Sequence, residues 1–244
     1  MIDIVLTSYL RLAYTEKAVR YLRQRTRSPF RLTVVDNGSD ELTQKMLIMG
    51  QQSGDIDQLI LLKNNYGIHA AKNIGLSTVH GFDYYVDTDN DIYVPDIEPD
   101  WITKLYTIMC RHPEYAAIAC QPQVFIGGVP KISEDEEVFE TSHCGAVMRM
   151  MKVEAVRSVG GWEKIWDAKR NHEERYICGE LRKKGYKVGY AKDITCFHPF
   201  MSEGTDKWGY PQEMKPEEHG HNDVHIPETV GDINRYDQKN WREL

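Results

Sequence analysis

The sequence lacks the marks of a zinc protein, a secreted scaffold or a membrane protein. Its five cysteines (Cys110, Cys120, Cys144, Cys178, Cys196) are odd in number and never spaced Cys-x-x-Cys. They read as buried thiols in a reducing compartment, which excludes a zinc ribbon or a disulfide framework. No apolar run approaches the roughly 20 residues of a membrane-spanning helix. The opening Met1-Ile2-Asp3 is acidic early and its apolar run is too short for a signal peptide. No basic stripe is present either, and the formal net charge is -7, which argues against a nucleic-acid partner. The expectation is a soluble, cytoplasmic protein with no transmembrane segment. What the chain does have is 41% hydrophobic residues over 244, enough for one large α/β domain, with or without a tail.

Short branched-residue strands alternate with amphipathic segments through the first hundred residues. Ile2–Thr7, Phe30–Val35 and Leu59–Leu62 read as strands. Helices are expected from Thr15 to Arg25, from near Glu41, and from Ile68 to Val79. This βαβ rhythm predicts a parallel sheet whose strand ends converge on one edge. Thr7, Ser8 and Tyr9 end the first strand, Asp36 the second, and Asn64 and Asn65 the third.

The fourth strand, centred on Tyr84-Tyr85-Val86, runs straight into Asp87, Asp89 and Asp91. Carboxylates this close repel one another, and burying them demands a compensating cation or solvent. A hard divalent ion held by carboxylate oxygens is the simplest occupant. An EF-hand is excluded, because its obligatory glycine position holds Ile92, Pro95 falls inside the loop, and a strand precedes it.

In the second half, a helix capped by Asp100 runs to Arg111, followed by a strand at Ala116–Cys120. The segment 125–139 reads as an irregular, acidic, solvated loop. Gly145–Arg149 reads as a strand and Val153–Val159 as a short helix closed by Gly160-Gly161. An acidic pair, Glu173-Glu174, opens another helix. Two short strands, Lys187–Tyr190 and Ile194–Phe197, lead to His198-Pro199. From Met201 the composition turns polar and proline-rich, predicting an extended tail that lies over the site as a lid or docks a partner. Its His219, His221 and His225 lack accompanying carboxylate or cysteine spacing and read as solvated.

An ordered series of motifs resembles a known family. Val34-Val35-Asp36-Asn37-Gly38-Ser39-Asp40 is followed by Asn65-x-Gly67-x-x-x-Ala71-Lys72-Asn73-x-Gly75, then Asp89-Asn90-Asp91 with Pro95 and Trp101. Further on come Gly160-Gly161-Trp162, His172-Glu173-Glu174 and Leu181–Tyr186. The chain resembles the GT-A nucleotide-sugar glycosyltransferases, most closely the inverting group called family 2. The resemblance implies a GT-A, Rossmann-like α/β fold with a mostly parallel central sheet flanked by helices. Residues 1–99 would form the nucleotide-sugar half, 100–200 the acceptor-binding and catalytic half, and 201–244 the tail.

The resemblance also implies roles. Asp36 would bond the nucleotide base, Thr7 and Tyr9 would line the base and ribose pocket, and Asn65 would sit with them. Arg11 and Lys72 would bring positive charge near the phosphates. Asp89 would reach the ribose side, and Asp89 and Asp91 with His198 would hold Mn²⁺ (or Mg²⁺). Asp87 is the other reading for the first carboxylate. Glu174 would be the catalytic base, with Glu173 beside it; the family more often carries Glu-Asp at this point. The donor would be a UDP-sugar, with GDP or dTDP as alternatives, and the acceptor a carbohydrate or a lipid-linked hydroxyl. A lipid-linked acceptor would place the protein at the inner face of a membrane. A non-catalytic sugar-nucleotide-binding module is the alternative function. A nucleotidyltransferase would need a Gly-rich phosphate loop, and Leu6–Tyr14 has no glycine.

Overall fold

The structure is a computed structural model that describes residues 1–80, 83–123, 131–162 and 173–199. The expected tail at 201–244, His172 and the 125–130 part of the expected loop lie outside these residues. In chain order the first elements are β1 (Ile2–Ser8), α1 (Leu12–Arg25), β2 (Phe30–Asp36), α2 (Glu41–Ser53), β3 (Gln58–Leu61), α3 (Ile68–Ser77) and β4 (Tyr84–Asp89). They are followed by α4 (Trp101–Arg111), β5 (Tyr115–Pro122), β6 (Lys131–Glu134), β7 (Val138–Thr141) and β8 (Arg149–Lys152). The last are α5 (Val153–Ser158), α6 (Glu173–Lys183) and β9 (Lys187–Cys196).

The strands form one sheet in the order β3-β2-β1-β4-β8-β5-β9-β7-β6. Strands β3, β2, β1 and β4 are mutually parallel. Antiparallel β8 joins β4 to β5, and β9 then pairs parallel with β5 and antiparallel with β7. Alternation along β1 sends Ile4 and Leu6 into one core and Val5 into the other. Ala18 and Leu22 of α1, Leu47 of α2 and Leu105 of α4 fill the first core. Ala71 and Ile74 of α3, Val156 of α5 and Ile177 of α6 fill the second. Helices therefore cover both faces of the sheet, and ligands are left the edge at the carboxyl ends of the strands.

Two local features fix how the helices pack around the sheet. A Cβ on Gly75 of α3 would fall 2.2 Å from Val5 Cγ1, so the helix rests directly on β1. Asp100 caps α4 through Thr103 N–H at 3.0 Å and also accepts from Arg27 N–H and Ser28 N–H at 2.7 and 2.6 Å. That carboxylate ties the end of α1 to the start of α4.

The structure corrects several expectations. Part of the expected 125–139 loop is a hairpin, β6 and β7, in which Glu134 is paired with both Lys131 and Lys192. The strand expected at Gly145–Arg149 starts at Arg149, because Met148 takes φ 46°, a conformation no strand accommodates. The two short strands before His198 are one, β9, which runs through Lys192 and Asp193 while its register against β5 shifts between Tyr190 and Thr195. Helix α1 begins at Leu12, three residues early, since it starts from a left-handed Arg11 with no side-chain cap. Cys110 is exposed, whereas the other four cysteines are buried thiols.

Candidate active site

The strand ends do converge. Thr7 of β1 lies beside Val35 of β2 and Asp89 of β4, and Ser8 lies beside Asp36. Thr7 Oγ1 is buried and has no hydrogen-bond partner among the described residues. Tyr9 follows, half-buried. Asp36 is fully buried; it accepts from Ser39 N–H at 3.0 Å, Gln44 Nε2 at 3.1 Å and the Ser39 hydroxyl. Burial raises its pKa, and the Ser39 and Gln44 bonds oppose the rise.

The loops after β2 and β3 are interlocked. Asn37 Nδ2 donates to Asn65 Oδ1 at 2.8 Å, while Tyr66 N–H donates to Asn37 Oδ1 at 3.0 Å. Asn65 Oδ1 also accepts from Gly67 N–H at 2.9 Å, so this oxygen braces the loop. Gly38 takes φ 81°, and a Cβ there would sit 2.3 Å from the Asn64 carbonyl carbon. Only glycine allows that approach.

Below the edge lies a buried chain of charges. Lys72, with no exposure, donates from Nζ to Asp87 at 2.8 Å and Asp89 at 3.2 Å. Asp87 also accepts from Arg149 Nη2 at 2.6 Å, and Arg149 donates to Glu173 at 2.9 Å and to the Cys144 carbonyl at 2.8 Å. Glu173 Oε2 accepts in addition from Trp162 Nε1 at 2.9 Å. The route thus runs from α3 through β4 and β8 to the first turn of α6. Burial alone would lower Lys72; Asp87 and Asp89 outweigh it and hold its ammonium well above the usual lysine range. Burial alone would raise Glu173, yet Arg149, Lys72 and the hydrogen bonds bring it down to about 2.

Lys72, Arg149, Asp87 and Glu173 balance one another, which leaves Asp89 as the excess negative charge. Its pKa is raised to about 7 by burial, with Glu173, Asp91 and Asp87 adding to the rise against Lys72. Its side chain retains 35% exposure, so a cation can reach it. Lys72, expected near the phosphates, is wholly covered, and its charge is paired with Asp87 and Asp89.

Asp91 follows one turn of chain later, 4% exposed. The guanidinium of Arg11 pairs with its Oδ2, and His198 Nε2 lies 3.7 Å from its Oδ1. His198 reaches this place because Phe197 and Tyr93 form a two-way backbone bridge at 2.8 and 2.9 Å. Gln123 then clamps the His198 backbone, accepting from its N–H and donating to its carbonyl, both at 2.6 Å. Burial lowers the His198 pKa, and Arg11 adds to the fall against the pull of Asp91. A neutral imidazole with a carboxylate nearby is a donor set that suits Mn²⁺. The 3.7 Å gap is one that a cation with bonds of about 2.1–2.2 Å would bridge. The residues therefore fit a divalent ion, although no group of three ligands stands preassembled among the described residues.

Glu174 stands half-buried in the first turn of α6, beside the anchored Glu173. Glu173, expected as a second catalytic carboxylate, is 6% exposed and committed to Arg149 and Trp162. Sequence reasoning missed Arg149, Gln123 and Ser39. Arg149 did leave a signal: it is the one cation inside the apolar run 144–151.

Comparison with known proteins bears on the fold and the family. The model of glycosyl transferase family 2 matches residues 3–178. No curated protein matches the chain closely enough to count as a relative. Among solved structures, S. aureus TarS 1-349 in complex with UDP-GlcNAc superposes with a TM-score of 0.59 at 15% identity, over 80% of this chain and 57% of that one. Mannosyltransferase PcManGT from Pyrobaculum calidifontis, in complex with GDP-Man and Mn²⁺, gives 0.62 at 15% identity over 83% and 58%. GalNAc-T7 with UDP, GalNAc and Mn²⁺ gives 0.63 at 10% identity over 81% and 43%. The chain thus spans about half the length of these structures, which share its fold, GT-A. With the family model covering well over half of its residues, the chain belongs to glycosyl transferase family 2.

Proposed function

We propose that the protein transfers a sugar, with inversion, from a nucleoside-diphosphate sugar to an acceptor hydroxyl, using a divalent cation. The observation that carries this reading is the convergence of Thr7, Asp36 and Asp89 on one strand edge, with the Asp91–His198 pair next to it. Asp36, buried and bonded to Ser39 and Gln44, would set the floor of the base pocket, and the Thr7 hydroxyl, without a partner among the described residues, would bond the nucleoside beside Tyr9. Asp89, Asp91 and His198 would hold the cation, Mn²⁺ before Mg²⁺ because of the imidazole. Such an ion supplies positive charge to a departing diphosphate. UDP is the first choice of nucleotide; TarS and GalNAc-T7 were solved with UDP compounds and PcManGT with GDP-Man.

Glu174 is assigned as the base and Glu173 as its anchor. The Glu174 carboxylate takes the acceptor proton while the freed oxygen attacks the anomeric carbon. The bond from that carbon to the phosphate oxygen breaks on the opposite face, and the nucleoside diphosphate leaves with the electron pair. The acceptor is a carbohydrate or a lipid-linked hydroxyl, the latter placing the protein at a membrane face. No described helix is long and apolar enough to cross a membrane. The test is Glu174→Gln. Transfer should fall by at least about a hundredfold while UDP binding persists. Transfer at the wild-type rate would remove Glu174 from the mechanism.

A further inference from the structure

Arg11 is held in a way that ordinary helix capping does not explain. Leu10 and Arg11 are consecutive non-glycine residues with φ of 51° and 58°. Such left-handed pairs persist only where surrounding contacts over-determine them, and they cluster at ligand sites. Here Leu10 N–H donates to Ser39 Oγ at 2.7 Å, and Asn90 Nδ2 donates to the Leu10 carbonyl at 3.2 Å. Ser39 in turn bonds Asp36, and Asn90 precedes Asp91. The bend is therefore built from both halves of the proposed nucleotide site. Its result is to seat the Arg11 guanidinium on Oδ2 of Asp91, whose Oδ1 faces His198.

One carboxylate cannot serve two cations equally well. A divalent ion between Asp91 and His198 would sit beside a guanidinium of like charge in a largely buried place, where that repulsion is strong. Lys72 cannot take over, being fully covered and committed to Asp87 and Asp89. An incoming diphosphate, in contrast, offers Arg11 anionic oxygens in the forked geometry that a guanidinium matches.

We propose that Arg11 is a resident counter-ion that exchanges partners. It neutralises Asp91 while the site holds no cation, and it moves to the donor's diphosphate once cation and nucleotide are bound. The inference rests on the reading of Asp91 as a cation ligand. It means that the cation alone binds weakly and that cation and nucleotide bind cooperatively, each removing an obstacle to the other.

The exchange predicts effects of opposite sign for Arg11→Gln. Binding of Mn²⁺ alone, followed by the loss of the free-ion electron paramagnetic resonance signal, should tighten by about tenfold, the scale of one partly buried ion pair. Binding of UDP at saturating Mn²⁺, followed by calorimetry, should weaken by a similar factor. Arg11→Lys keeps the charge but loses the fork, so Mn²⁺ binding alone should stay within about threefold of wild type while UDP binding still weakens. Arg11→Gly, which suits φ 58°, repeats the test should the glutamine variant fail to fold. Unchanged or weaker Mn²⁺ binding in the glutamine and glycine variants, with a wild type that binds both ligands, overturns the exchange and leaves the cation site standing. A wild type that binds Mn²⁺ neither alone nor with UDP overturns the cation site, and the exchange with it.

Discussion

Arg149→Leu is the most informative single perturbation of the scaffold. The guanidinium is fully buried and joins Asp87 to Glu173 with bonds of 2.6 and 2.9 Å. Without it, Asp87 keeps Lys72, but Glu173 keeps only Trp162 among the described partners that bond its carboxylate. Removing one member of a buried pair typically costs about 3–5 kcal/mol, because the remaining charge is left uncompensated. For a domain of this size that is a fall in Tm on the order of 10 °C.

The pH dependence sharpens the prediction. In the wild type the Glu173 pKa is depressed, from 4.5 to about 2. A depressed carboxyl contributes stability that is fully present above its unfolded pKa and is lost as pH falls towards 2. Without Arg149, burial raises the same carboxyl, so its contribution falls as pH rises above about 4.5. Urea denaturation of both proteins between pH 4 and 8 would read this directly. The gap between them should be smallest at pH 4 and widen towards neutrality. A loss of under about 1 kcal/mol at pH 7, or a gap independent of pH, would refute the buried chain of charges. The double variant Arg149→Leu with Glu173→Leu should recover part of the loss, since no glutamate charge is then stranded.

Two further substitutions separate function from stability. Asp89→Asn should stabilise the unliganded protein at pH 8 while abolishing Mn²⁺-dependent nucleotide binding. The Asp89 pKa is raised to about 7, so its charge costs stability increasingly as pH climbs from 4 to 7. Thermal melts at pH 5 and 8 check this, and the gain should be clearly larger at the higher pH. Gly75→Ala should destabilise by about 1–3 kcal/mol, because its Cβ would lie 2.2 Å from Val5 Cγ1. Val5→Ala in the same chain should restore much of that loss in urea denaturation.

The first hundred residues were legible because local rules and tertiary needs coincide there. Branched strands, Asp-Asn-Gly turns and capped helices all point to the same parallel unit, and the structure places β1, β2 and β4 accordingly. Beyond Asp100 the local signals weaken. The acidic run from Glu134 to Glu137 reads as solvated loop, yet pairing with Lys131, Lys192 and Arg111 lets β6 and β7 form around it. Lys192-Asp193 looks like a break between strands, and it falls where β9 shifts register against β5, yet β9 continues through it. Electrostatic partnerships were the least legible feature, since Lys72, Asp87, Arg149 and Glu173 lie far apart in sequence. Only the closed fold shows that Lys72 is covered and that Glu173 is an anchor.

The most direct test of the proposed site is thermal stability against UDP, GDP and dTDP, each with and without Mn²⁺. A ligand that binds only the folded state at a hundred times its Kd stabilises by about 2.7 kcal/mol, a shift of several degrees. A metal-dependent rise with one nucleotide, UDP first, is the expected result, and it should vanish in Asp91→Asn. No rise with any nucleotide, or the same rise with and without Mn²⁺, would contradict a cation-assisted nucleoside-diphosphate site at Asp89, Asp91 and His198.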